Sequence, residues 1–64
     1  MKTVATKKNG DEVRVLEQTY KGKTSVHVRT FYTDKSTGEM KPTQKGVNFN
    51  RDDIPALIEA LQTV

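Results

Sequence analysis

Cysteine is absent from this chain, which excludes a disulfide framework and any thiolate metal site. Histidine occurs once, at His27, and the sequence supplies no partners that would make it a metal ligand. No serine sits in a nucleophile-elbow context. Gly10, Gly22, Gly38 and Gly46 show no phosphate-loop spacing. The carboxylate pair Asp52-Asp53 falls at the start of a helical pattern, where the macrodipole and capping account for it. These absences point away from an enzyme, a metal or a cofactor. No segment is apolar enough for a membrane span or a signal peptide. Proline occurs only twice, and one of the two, Pro42, interrupts the stretch "GEMKPTQKGVNFN" that otherwise reads as strand.

What remains is small and basic. The 64 residues make one domain near the lower limit for independent folding, and only 33% are hydrophobic. A core that thin is commonly completed by oligomerisation, and a homodimer that seals helices and edge strands is expected. Net charge is +3 and unevenly spread. Residues 1–19 carry four cations against three carboxylates (+1), residues 20–46 six against two (+4), and residues 47–64 one against three (−2). The basic excess lies in the middle, where β structure is expected, and a basic sheet face favours polyanions. A merely solvated surface is the other reading of the same charge.

Along the chain, residues 1–12 have no sustained period and end in Asn-Gly-Asp, which reads as a flexible basic tail running into a turn. The domain proper is expected over 13–64. "VRVLEQTY" (13–20) alternates as a strand, "KGK" (21–23) is a tight turn with Gly22 free to take positive φ, and "TSVHVRTFY" (24–32) is the clearest strand. In the latter, Thr24, Val26, Val28 and Thr30 point one way, and Ser25, His27, Arg29 and Phe31 the other. "TDKSTG" (33–38) is a loop. "EMKPTQ" (39–44) and "KGVNFN" (45–50) read as two strands, or one kinked pair, joined at Lys45-Gly46. Ile54, Leu57, Ile58 and Leu61 then form one apolar stripe of a helix. Asn50 is its expected N-cap, with Pro55 a local conflict that would shift the start by a residue or two. The fold class is α+β: a four-stranded antiparallel sheet followed by one C-terminal helix (ββββα).

Binding chemistry is concentrated in the basic middle. Tyr20 adjoins the turn lysines Lys21 and Lys23, Arg29 lies close to Phe31 and Tyr32, and "KPTQKG" adds Lys41, Pro42 and Lys45. Flat rings beside cations suit single-stranded nucleic acid, the rings stacking bases and the cations meeting phosphates. Of Phe31 and Tyr32, one must face the core; Tyr20, beside a polar turn, is expected to be exposed, and Phe49 to be buried.

The stretch "TYKGKTSVHVRTFYTDKSTGEMKPTQKGVNFNRDDIPAL" resembles the single-stranded-DNA-binding domain of the transcriptional positive cofactor four family, with "GEMKP" followed by "KG" its most specific part. The match runs from about Val13 to Leu61. The resemblance implies a ββββα homodimer whose curved sheets form two grooves for opposed single strands, with partly melted duplex as a natural substrate. Tyr20 would take the stacking aromatic's place, Lys21 and Lys23 that of phosphate-binding lysines, and Arg29 that of the sheet arginine. Tyr32 would stand where the family often has tryptophan. Lys41, Pro42, Lys45 and Gly46 would form a further wall of the groove. Gln44 stands where relatives can carry arginine, one cation fewer. Only residues 1–12 precede the match, as in compact bacterial or viral relatives, which favours the DNA-binding core over a coactivator role.

The sequence thus points to a homodimeric, sequence-tolerant single-stranded-DNA-binding protein acting in transcription, replication, repair or recombination. Its expected place is the bacterial or phage-infected cytoplasm, nucleoid-associated, or the nucleus of a eukaryote. Two alternatives share its features: an RNA-binding protein, and a protein-interaction module whose basic face meets an acidic partner.

Overall fold

A computed structural model describes all 64 residues. Four strands, β1 (Lys2–Thr6), β2 (Glu12–Tyr20), β3 (Lys23–Thr33) and β4 (Met40–Asn50), form one curved, open antiparallel sheet in the order β1-β2-β3-β4. A single 3-10 turn, Arg51–Asp53, leads into the helix α1 (Ile54–Thr63). The ββββα class expected from the sequence is therefore present, but two of its strands are drawn differently.

Residues 1–12 are not a flexible tail throughout. Lys2–Thr6 pair with β2, Lys2 opposite Val15 and Thr6 opposite Glu12, with a register shift between Thr3 and Ala5. Every residue of β1 is exposed, so main-chain hydrogen bonds hold it and no apolar alternation announces it. The turn before β2 is closed by Lys7 N–H to the Asp11 carbonyl at 2.7 Å and by Asp11 N–H to Asn9 Oδ1 at 3.0 Å. Conversely, the stretch 39–50, expected as two strands or one kinked pair, holds the single strand Met40–Asn50. Pairing with β3 runs Thr33–Met40, Tyr32–Lys41, Phe31–Pro42, then resumes at Arg29–Gly46, so the bulge absorbs the extra residues of β4. Pro42 is tolerated because β4 is a sheet edge.

The β2–β3 hairpin closes through a two-residue turn in which Lys21 (φ 51°) and Gly22 (φ 77°) are both left-handed, the arrangement of a type I′ turn. Gly46 has a different reason to be glycine. A Cβ there would lie 2.6 Å from the Val28 carbonyl oxygen and 3.0 Å from Arg29 Cα. It permits close approach of β4 to β3 beside the bulge.

Asn50 precedes the 3-10 turn and makes no side-chain cap bond; α1 begins at Ile54 after Asp53. That shift puts Pro55 in the first helical positions, where a missing N–H costs nothing. Arg51 Nη1 reaches Glu17 on β2 at 2.7 Å and ties the helix start to the sheet. The molecule measures 38 × 34 × 17 Å, and α1 packs little against the sheet, so the chain encloses almost no core of its own. Only Val26, His27 and Phe31 are buried. Ile54 and Leu57 of the helical stripe are half-buried, whereas Ile58 and Leu61 are exposed, as is Val47 on β4.

Candidate nucleic-acid interface

Antiparallel register sorts the side chains into two faces. Tyr20, Gln18, Leu16, Arg14 and Glu12 of β2 lie opposite Lys23, Ser25, His27, Arg29 and Phe31 of β3, and share one face with them. Across β3, that face continues to Asn50, Asn48, Gly46 and Pro42. The other face carries Val13, Val15, Val26, Val28, Val47 and Phe49.

The first face holds an open groove of about 340 Å3 lined by Leu16, Gln18, His27, Arg29, Phe31, Pro42, Thr43 and Gln44. Arg29 is its half-buried cation. Its Nη1 donates to the Thr43 carbonyl at 3.0 Å and its Nη2 to Asn48 Oδ1 at 3.4 Å. The ion pairs of the chain are Arg14–Glu12, Lys41–Asp34 and Arg51–Glu17, so no carboxylate neutralises Arg29. A guanidinium fixed by neutral acceptors keeps its charge available to an anion. The bulge supplies one of those acceptors, and Thr43 Oγ1 in turn donates to the Thr30 carbonyl at 2.8 Å and locks it in place. His27, beside Arg29, is buried and lies 2.9 Å from Ser25 Oγ through Nε2.

At one end of this face Tyr20 stands 74% exposed, with Lys21 Nζ 5.3 Å from its ring centroid. Phe31 is the buried aromatic of the pair Phe31–Tyr32, but it lies on the groove face, with the Arg14 guanidinium carbon 5.0 Å from its ring centroid. Arg14 Nε donates to Glu12 Oε1 at 3.0 Å, and the Thr3 hydroxyl donates to the same oxygen at 2.9 Å. The Thr3 hydrogen bond, then that of Arg14, holds the Glu12 carboxyl below its ordinary value.

Of the residues singled out from the sequence, Tyr20, Lys23, Arg29, Pro42 and Gly46 fall on the groove face. Lys21 is in the turn beside Tyr20, and Lys45 is exposed in the bulged segment. Tyr32 and Lys41 oppose one another and, by alternation, belong to the other face. Lys41 there meets Asp34 at 2.7 Å and closes the β3–β4 loop. Sequence reasoning did not name Arg14, Leu16, Gln18 or Asn48 as site residues; only the register of β2 and β4 against β3 would have found them. A larger depression of about 510 Å3, lined by Gly22, Lys23, Thr24, Asn50, Arg51 and Asp52, has no apolar floor for a base.

A curved antiparallel sheet with an arginine-centred, partly aromatic groove defines a nucleic-acid-binding class of small α+β domain. The model of the family Transcriptional Coactivator p15 (PC4) matches residues 7–60, and the chain belongs to that family. It therefore has a PC4-like nucleic-acid-binding role, in a family that is not enzymatic. Among solved structures, the chain is similar to the crystal structure of a PC4 homolog from Burkholderia pseudomallei K96243, with a TM-score of 0.77 and 27% identity, covering 95% of this chain and 84% of that one. No curated protein matches the chain. No helix is long and apolar enough to cross a membrane.

Proposed function

We propose that the protein binds single-stranded DNA with little regard to sequence, as a homodimer, in support of transcription, replication, repair or recombination. A cytoplasmic, nucleoid-associated setting belongs to the same reading. The observation that carries it is Arg29: half-buried, without a carboxylate, and held by Thr43 and Asn48 in a groove floored by Leu16 and Phe31. A strand crossing that groove would lay phosphates near Arg29 and Lys23 and stack a base on Tyr20. Lys21, Lys45 and the wall formed by Pro42 and Gly46 complete the path. Each stacked base is worth about 1–3 kcal/mol and is insensitive to base identity. The homodimer is supported by Val47, Ile58 and Leu61, whose exposure leaves an apolar surface on a chain with almost no core.

Tyr32 separates this reading from the resemblance alone. Its register places it across from Lys41 on the face away from Arg29. Fluorescence-anisotropy titration with labelled single-stranded DNA, duplex and RNA oligomers at two salt concentrations tests the proposal. Salt-sensitive preference for single-stranded DNA is expected, weakened about tenfold or more in Tyr20→Ala and Arg29→Ala and much less in Tyr32→Ala. Equal, weak binding to all three nucleic acids would overturn the reading, and tighter RNA binding would replace DNA with RNA as the ligand.

A further inference from the structure

Arg14 and Arg29 are direct cross-strand neighbours on the groove face. Like charges in that relation destabilise a sheet, and something must compensate. Glu12 compensates Arg14 alone, so the pair of cations keeps one charge in excess. The two side chains also diverge: Arg29 bonds toward β4, whereas Arg14 lies over Phe31 and bonds to Glu12.

Arg14 is half-buried, and its side chain is fixed on more than one side. Its Nε is fixed by Glu12, Glu12 is fixed by Thr3 of β1, and its guanidinium carbon sits over the Phe31 ring. Its Nη1 and Nη2, by contrast, make no hydrogen bond within the protein, and they share the 19% of the side chain that is exposed. A guanidinium held at Nε and on one ring face, with its outer fork unbonded, is prepared for a two-oxygen anion.

We propose that Arg14, on the groove face beside the groove itself, is a second arginine that binds a backbone phosphate of the nucleic acid, carrying the strand's path across β2 toward β1. Phe31 and Thr3 position it, the latter through Glu12, and Glu12 sets its strength by neutralising part of its charge. The proposal rests on the groove being the nucleic-acid site. It adds a contact on the β1 side, away from the bulge and the Lys-Gly-Lys turn.

The test uses the full chain, labelled oligothymidylate and a salt series. Arg14→Gln is expected to flatten the log–log salt dependence by about 0.7, the loss of one single-strand phosphate contact. It should also weaken low-salt binding about tenfold, as for one charge-assisted contact. Arg14→Lys should keep the slope while losing part of the affinity, because the charge remains and the fork does not. Glu12→Gln should bind more tightly than the parent, and it decides the matter if Arg14→Gln fails to fold by circular dichroism. A parent that binds with the same slope as a folded Arg14→Gln, or a Glu12→Gln that shows no gain, overturns the assignment of Arg14 and leaves the groove standing. A parent that does not bind oligothymidylate overturns both.

Discussion

On one face of the sheet the uncompensated groups are charged; on the other they are apolar. The groove face carries Arg29 without a carboxylate, Arg14 bonded only through Nε, and Tyr20 projecting beside Lys21 and Lys23. The opposite face carries the valines of three strands and Phe49, with Val47 exposed; beyond the sheet, the helix has Ile54 and Leu57 half-buried and Ile58 and Leu61 exposed. An exposed charge is solvated by water and can wait for a ligand. Exposed apolar side chains destabilise the chain until something covers them. The two faces therefore differ in what their incompleteness does: one lends affinity when a polyanion arrives, the other bears on whether the chain stays folded at all.

The strongest way to break the comparison is to charge the apolar side. Burial of an aliphatic side chain contributes about 1.5–3 kcal/mol. A domain of this size has a total stability of roughly 3–10 kcal/mol. Ile58→Asp/Leu61→Asp is expected to abolish the proposed dimer in sedimentation analysis and to remove most of the cooperative thermal transition. Nucleic-acid binding would then disappear with the fold. A parent that sediments as a monomer, with the double variant melting at the same temperature, would refute the dimer and with it this account of the apolar face.

Gly46 sharpens the comparison because it serves both faces. Its missing side chain lets β4 approach the Val28 carbonyl and Arg29 Cα beside the bulge that supplies Thr43 to Arg29. Gly46→Ala must push the two strands apart, and a loss of about 1–3 kcal/mol is expected in urea unfolding, the usual range for overpacking. An unchanged unfolding midpoint would show that the strands yield without strain.

Parts of this were legible in the chain itself. The β2–β3 hairpin follows from strand alternation on either side of Lys21-Gly22, and the split of Arg29 from Val28 across two faces follows from parity alone. The helical stripe was readable too, and so was the exposure of Tyr20. β1 was not, because "KTVAT" has one aliphatic residue larger than alanine and is held by its backbone, a kind of bonding that composition does not register. The unity of β4 was legible only as the alternative of one kinked pair, since Pro42 and Gly46 punctuate it and pairing with β3 is what shows one strand running through a bulge. The groove face suffers most from this. Parity within β3 already turns Tyr32 away from Arg29, but the bulge and the register decide which of Lys41, Arg14 and Asn48 share its face.

Lys41 and Lys45, four residues apart, carry that point to its smallest measurable consequence. Lys41 is spent on Asp34 at 2.7 Å, whereas Lys45 is exposed in the bulged segment and has no ion-pair partner. Lys45→Ala is expected to flatten the salt dependence of single-strand binding by about 0.7, and Lys41→Ala to leave it unchanged. The signature of Lys41 lies instead in acid. Its hydrogen bond to Asp34, followed by the Ser36 backbone N–H, holds that carboxyl below its ordinary value of 3.8. A depressed carboxyl contributes stability that is whole above the unfolded value and is lost as pH falls through the lower folded one. The Asp34 side chain is 22% exposed, so water screens the pair in part and its contribution is best read at the group itself. In carboxyl-detected NMR titration, Lys41→Ala should move the Asp34 midpoint up toward 3.8 while single-strand affinity at neutral pH stays that of the parent. A midpoint that does not move, or an affinity that falls as far as in Lys45→Ala, would put Lys41 back on the groove side of the sheet.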